Sequence, residues 1–405
     1  MACRHFGDPD NCGGCRYQDF SYEEEIAQKD RELRELFADV VPSFDEVYEG
    51  ITGTDPDGYR NKMEFTFGNR MKDGPLELGM HRKGRFYDIV SVPECQICNP
   101  DFGRIIDATR EYFSERGTSF YRKRQHTGYL RHLLVRRAHF TGQILADLVT
   151  ADYDGSSEAD EGELMAGFRE ALLALNLDGE IVGILHTRNN SLSDTIKDEG
   201  TEVLYGQDYF YEKLLGLSFK ITPFSFFQTN SAGAEKLYGR AREYLLEALA
   251  GARPHEVFDL YSGTGTITQI VSAYAEHVTG VEIVPEAVQA AEENAAANGI
   301  TNCSFICGDV FKVLDGLDER PDYIIVDPPR EGLQPKALSK IVSYDVPSLI
   351  YIACKPSSLA RDIPTFLTHG YEARHLSCTD MFPRTNNTEC VCLFVKTGDG
   401  ALRCL

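Results

Sequence analysis

Residues 257–266 read VFDLYSGTGT, an apolar strand-like run that breaks at Ser262-Gly263-Thr264-Gly265-Thr266. Glycines where a strand hands over to a helix let the backbone turn tightly and approach a ligand closely. Alone, such a turn is weak evidence, because ordinary tight turns carry the same residues. What flanks it decides the fold. VTGVEI (278–283) reads as the next strand, followed by a helix opened by Pro285 and closed by Gly299. CSFICGD (303–309), YIIVDPP (323–329) and LIYIAC (349–354) continue the series, and VCLFVK (391–396) belongs to a final antiparallel pair. Upstream, residues 231–251 place Leu237, Ala241, Tyr244, Leu245 and Ala248 on one helical face. Apolar strands alternating with helices imply an α/β fold with a doubly wound, mostly parallel sheet of the Rossmann-like kind.

Two carboxylates narrow the ligand. Glu282 ends the second strand, where a carboxylate accepts hydrogen bonds from ribose hydroxyls, and Asp309 ends the third within reach of an adenine amine. A nicotinamide dinucleotide would use the same features, but its fingerprint wants a third glycine three residues after the second. That position is Thr268. S-adenosylmethionine carries no phosphate, so Gly263 and Gly265 suffice, and the reading is a methyltransferase.

The later strands carry candidate chemistry. Asp327-Pro328-Pro329-Arg330 lies at the carboxyl edge, where open α/β sheets bind ligands. Cys354 closes a buried strand, where most cysteines are inert core residues. Placed beside Lys355 at the cofactor edge, it is expected to be a thiolate of lowered pKa. Glu389 precedes the last apolar strand. Together they fit methylation of uracil at C5. A thiolate adds to C6, the resulting enolate attacks the methyl sulfonium, and a base removes the C5 proton. Cys354 is the candidate nucleophile and Glu389 the candidate base.

The rest of the chain has a different texture. MEFTFGNR, LELGMHRK and RFYDIVSV alternate apolar and polar residues, as antiparallel strands do, and LRHLLVRRAHF and GQILADLVTA read as a hairpin turning at Thr141-Gly142. Helices are expected over 22–37, 105–117 and 164–177, with the acidic stretch 152–163 as a solvated loop. Three units are expected: residues 1–44, 45–220 and 221–405. The net charge of −22 argues against coating nucleic acid by bulk electrostatics. Residues 120–137 nonetheless carry Arg122, Lys123, Arg124, Arg131, Arg136 and Arg137 without a carboxylate, a candidate basic groove. No signal segment or bilayer-length apolar stretch is evident, so a soluble cytoplasmic protein is expected. Five of the twelve cysteines, Cys3, Cys12, Cys15, Cys95 and Cys98, fall in the first hundred residues, and disulfides do not suit that setting. Tetrathiolate ligation is compatible with zinc or an iron–sulfur cluster.

Several long motifs fall in order along nearly the whole chain: YRNKMEFTFG, YLRHLLVR, ITPFSFFQTN, DLYSGTGTIT, GVEIVPEAV, DYIIVDPPREGL, YIACKPSSLARD and DMFPRTNNTE. In these the chain closely resembles RNA uracil-5-methyltransferases, especially bacterial 23S ribosomal RNA enzymes with an iron–sulfur cluster. The resemblance implies that Gln228, Tyr261, Thr266, Glu282, Asp309 and Asp327 line the cofactor site, with Cys354 as nucleophile and Glu389 as base. It also implies a 4Fe-4S cluster on Cys3, Cys12, Cys15 and Cys95, Cys95 matching the fourth position better than Cys98. The residue after the nucleophile, usually Asn, is Lys355, and two frequent His positions are Arg384 and Asn387. The N-terminal TRAM domain that many relatives carry is not expected here. The expected partner is RNA, 23S rRNA before tRNA, gripped by the central unit, with no DNA or membrane partner and a monomeric chain. A non-catalytic iron–sulfur RNA-binding protein is the alternative from another class.

Overall fold

The apolar runs from residue 256 onward assemble as the alternation predicts. In the computed structural model, which describes residues 3–7, 11–153 and 158–397, they build an eight-stranded sheet. Its order is Tyr48–Thr52, Tyr371–Thr379, Glu389–Lys396, Ser348–Ala353, Tyr323–Val326, Glu256–Leu260, His277–Glu282, Cys303–Cys307. Neighbours run parallel except at Glu389–Lys396, which is antiparallel to both of its neighbours. Successive strand residues point to opposite faces. Phe258, Leu260, Ile324, Val326 and Tyr351 therefore enter one core, and Val257, Ile325, Ile350 and Ile352 the other. The result is a doubly wound, mostly parallel α/β sheet.

One strand comes from an unexpected place. Tyr48–Thr52 extends this sheet at its edge, Tyr48 lying opposite Leu376. The helix Tyr22–Phe37 opens with a capping box between Ser21 and Glu24 and buries Leu33 and Phe37 in the same core. At the other end, the hairpin of Phe210–Leu214 and Leu217–Ile221 packs with the helix Ser231–Leu249. By packing, then, the expected boundaries at 44/45 and 220/221 do not mark a change of sheet.

The second sheet has seven strands, in the order Arg85–Ser91, Glu77–Arg82, Lys62–Gly68, Leu130–Arg137, Gln143–Thr150, Glu180–Arg188, Thr201–Gly206. It is antiparallel except between Gln143–Thr150 and Glu180–Arg188. Arg137 pairs with Ile144 around the expected turn, where Gly142 takes φ +72°. The helices Pro100–Glu115 and Glu158–Leu173 both begin earlier than the apolar pattern suggested. Asn99 caps the first of them ahead of Pro100. Most of the second half of the expected acidic loop is thus helical, and residues 154–157 lie outside the described residues. Its Glu161 is buried, accepting from Tyr129 Oη at 2.6 Å and from Arg188 Nη2 at 2.5 Å.

Candidate active site

Register brings the candidate residues to one edge. Leu260 pairs with both Val281 and Val326, and Val326 with Tyr351, so Tyr261, Glu282 and Asp327 leave their strands at the same carboxyl end. Ala353 faces Cys390 across the antiparallel pair, so Cys354 and Glu389, the next residues outward, stand opposite one another. Gln228, Tyr261, Gly263, Thr266 and Asp327 line one cavity. Gly265, Glu282 and Asp309 are not in its wall.

Each of these residues has a local reason for its position. Tyr261 adopts φ +66°, a conformation uncommon for a bulky side chain, and both its N–H and that of Ser262 donate to Val281 O. Gly263 at φ +54° has open space where a Cβ would stand, leaving its backbone exposed to a ligand. Gly265 has a different role. A Cβ there would meet Phe305 at 2.7 Å and Ala291 at 2.8 Å, so this glycine serves the packing of helix on strand. Glu282 accepts from the N–H groups of Gly263, Ile283 and Val284 at 2.8–3.0 Å, which fixes its carboxylate and leaves about one acceptor position open on Oε2. Asp309 caps the helix Val310–Gly316 by accepting from Lys312 N–H. Thr268, where a dinucleotide fold would have its third glycine, donates its hydroxyl to buried Asp259 at 2.6 Å. Gln228 donates to Tyr238 Oη at 3.1 Å, and its carbonyl accepts from Asn61 of the other layer at 2.9 Å.

The candidate pair, Cys354 and Glu389, departs from expectation in one respect. Burial, with Glu389 and Asp327 nearby, pushes the Cys354 thiol up to about 11. The expected lowering by Lys355 is not found. That side chain is exposed at the helix N-cap, and the cation opposing the rise is Arg330. Burial likewise raises the Glu389 carboxyl to about 7, again opposed by Arg330, and holds Asp327 well above the carboxylate range. Both carboxyls also face Tyr238, whose buried phenol is pushed up. The edge is a cluster of weakened acids around one thiol.

At the opposite end of the chain, Cys3, Cys12, Cys15 and Cys95 line a second cavity. Burial raises Cys12 to about 12 and Cys15 to about 11, and each of the two is pushed further by Cys95 and Cys3. Gly14 N–H donates to Cys12 Sγ and Gln18 Nε2 to Cys15 Sγ. Cys98 stands outside this cavity, in the core with Phe102 and Ile105, its free thiol hydrogen-bonded to that of Cys95. Four thiols lining one cavity are a donor set of the kind that ligates a cationic centre once deprotonated. Among the described residues, no three His, Cys, Asp or Glu side chains are gathered to hold a single ion.

Known proteins resemble this chain over most of its length. Residues 195–397 match the family model described as tRNA (Uracil-5-)-methyltransferase. An uncharacterized RNA methyltransferase of Clostridium tetani is 44% identical over 391 residues, covering 96% of this chain and 82% of that protein. One from Caldanaerobacter subterraneus is 45% identical over 398 residues, covering 98% and 84%. The chain belongs to the RNA uracil-5-methyltransferase family. The enzyme is thus an S-adenosylmethionine-dependent methyltransferase acting on RNA. Its fold matches that of the Pyrococcus abyssi tRNA (uracil-54, C5)-methyltransferase bound to S-adenosyl-L-homocysteine, with a TM-score of 0.74, 23% identity and coverage of 94% and 86%. Among the described residues no helix is long and apolar enough to cross a membrane.

Half of the enzyme's basic run turns out to be scaffold. Arg131, 3% exposed, donates to the carbonyls of Asn189, Ser191 and Ser193. Arg136, 2% exposed, donates to Thr222 O and Ser225 O, and Arg137 pairs with Asp101 at 3.0 Å. Buried guanidiniums tie loops together by their fork of donors, so only residues 122–124 remain of the expected groove. Arg384 is also structural. It donates to Phe20 O and pairs with Glu25, while its own carbonyl accepts from Arg16 and Tyr17 N–H. Asn387 instead accepts from Arg330. Sequence reading missed Tyr238 and the exposed Phe226 in the cavity wall, because neither stands out within a helix or an aromatic-rich loop.

Proposed function

We propose that the enzyme methylates C5 of a uridine in structured RNA, 23S ribosomal RNA before tRNA, with Cys354 as nucleophile and Glu389 as base. The observation that carries this reading is the register that sets Cys354 opposite Glu389 at the carboxyl edge. Bound S-adenosylmethionine supplies an electrophilic methyl group. A thiol at about 11 is protonated at neutral pH, so its proton must go to a neighbour as sulfur bonds to C6. Glu389, raised only to about 7, is partly ionised near neutral pH and is the acceptor at hand, whereas Asp327, held well above the carboxylate range, keeps its proton. Glu389 takes the thiol proton, releases it to solvent, and then takes the proton from C5 after methylation. Loss of that proton expels the thiolate, restores the C5–C6 double bond and releases the methylated base. Gln228, Tyr261, Gly263, Thr266, Glu282, Asp309 and Asp327 are proposed to hold the cofactor, Glu282 through its remaining acceptor on Oε2.

Cys354→Ala should abolish methyl transfer to RNA from a strain lacking the enzyme, and Glu389→Gln should accumulate a covalent RNA–protein adduct. Turnover by Cys354→Ala would end the proposal. Cys3, Cys12, Cys15 and Cys95 are proposed to carry a 4Fe-4S cluster, supported by their shared cavity. Cys95→Ser should then lose iron and broad absorbance near ~400 nm, whereas Cys98→Ser should keep both. The reverse pattern would assign the fourth ligand to Cys98.

A further inference from the structure

Two cations of the basic run, Lys123 and Arg124, face an exposed aromatic pair, while Arg122 beside them lies over Phe120. The hairpin formed by Glu77–Arg82 and Arg85–Ser91 presents Phe86 and Tyr87, 58% and 49% exposed. Their rings meet edge to face at 5.2 Å and 90°, and His81 stacks on Phe86 at 5.2 Å and 11°. From the loop opposite, Lys123 Nζ stands 4.7 Å over the Phe86 ring and the Arg124 guanidinium 4.3 Å over that of Tyr87. Arg122 and Arg124 are exposed, as are Lys83 and Arg85 on the hairpin. The carboxylates nearby are Asp194, paired with Lys123 at 2.7 Å, and Asp88, 3.9 Å from Arg85.

Two adjacent large rings in water, each covered by a cation, on a chain of net charge −22, call for a reason. An apolar protein partner would not select for Lys83 and Lys123 in the patch, since Lys is depleted in such interfaces. Unpaired RNA offers a π-face for each ring and a phosphate for each cation. The patch is also tied to the cysteine loop. Gly13 N–H donates to His81 O at 3.0 Å, Lys83 N–H donates to Asn11 O at 2.8 Å, and Cys12 bridges Arg82.

We propose that Phe86 and Tyr87, with Arg122, Lys123 and Arg124, form a stacking platform for unpaired bases of the RNA substrate, separate from the cofactor cavity and held in place by the cysteine loop. This rests on the reading of RNA as substrate.

The test uses the purified full chain with its metal content intact, a labelled oligouridylate and a labelled RNA duplex of equal length. Phe86→Ala with Tyr87→Ala should weaken oligouridylate binding at least ~10-fold while the duplex changes less, since each stack is worth about 1–3 kcal/mol. Phe86→Trp with Tyr87→Phe should restore it. Arg122→Ala with Arg124→Ala should reduce the salt slope of log K by about one to two. Oligouridylate affinity within twofold of the parent, in a double-alanine protein that keeps its circular dichroism and cofactor affinity, would overturn the platform. Methylation of total RNA by the parent is assayed in parallel. If the parent methylates uridine while the double variant binds normally, the platform alone falls. A parent that neither binds nor methylates RNA removes both readings.

Discussion

Asp101, in the first turn of the helix Pro100–Glu115 beside the antiparallel sheet, and Glu389 at the edge of the parallel one are both almost fully buried carboxyls. Burial pushes Asp101 up, but Arg137, Arg104 and the N–H groups of Asp178 and Gly179 outweigh it and hold the group below its ordinary value. Glu389 is similarly unexposed, is desolvated, and has far less to offset it. Arg330 is the opposing cation, and that side chain is exposed. The first arrangement uses charge to fix loops. The second leaves acids reluctant to ionise, next to the thiol proposed as nucleophile. Buried charge thus marks a reactive site when its compensation is incomplete, and a scaffold when it is complete.

Substitutions at the two carboxyls should separate these roles. Glu389→Gln should lower turnover by about 10²–10⁴ and yet raise stability at pH 8 by about 2 kcal/mol, because it removes a carboxylate that folding holds near 7. Steady-state kinetics and thermal melts check both. Asp101→Ala should do the reverse, costing about 3 kcal/mol by leaving Arg137 and two N–H groups unpaired, while each folded molecule keeps its activity. If both variants melt alike, the contrast fails.

Acidity sharpens the comparison further. With its folded pKa raised, Glu389 contributes stability that is present below about 4.5 and lost as pH rises through about 7. The melting point of the parent relative to Glu389→Gln should fall across that window. Turnover should move the opposite way, climbing roughly tenfold per pH unit below ~7 and levelling above it. The smallest effect expected is at Arg136, whose bonds to Thr222 O and Ser225 O hold the loop leading to Phe226 and Gln228. Arg136→Met should raise the KM for S-adenosylmethionine about tenfold, roughly 1.4 kcal/mol, with a smaller change in kcat.

Much of this was readable before any coordinates. The alternation from Val257 onward reports strands buried on both faces, and caps such as Pro285 and Gly299 mark helix ends locally. Strand ends are also local, so Tyr261, Asp327, Cys354 and Glu389 could be placed on one edge. What escaped depends on distant partners. Nothing within YEGIT says that its neighbour is Leu376. Arg131 and Arg136 look like Arg122 in the sequence, and only the loops that receive their hydrogen bonds distinguish them. The acidity of Cys354 followed the same rule. Adjacent Lys355 suggested a low value, whereas spatial neighbours and desolvation set it.

The strand Tyr48–Thr52 and the helix before it have a consequence for how the chain reaches this state. Lys29 is buried between Glu25 and Asp380, at 2.7 Å from each, and Asp380 lies 351 residues downstream. At a synthesis rate of roughly 5–20 residues per second, this helix waits about 20–70 s for its partner. During that interval Leu33, Phe37 and an unpaired strand edge have no native cover. The eight-stranded sheet therefore closes late, around residues made 351 positions apart, and the helix Tyr22–Phe37 waits for its partner as a surface a chaperone can cover.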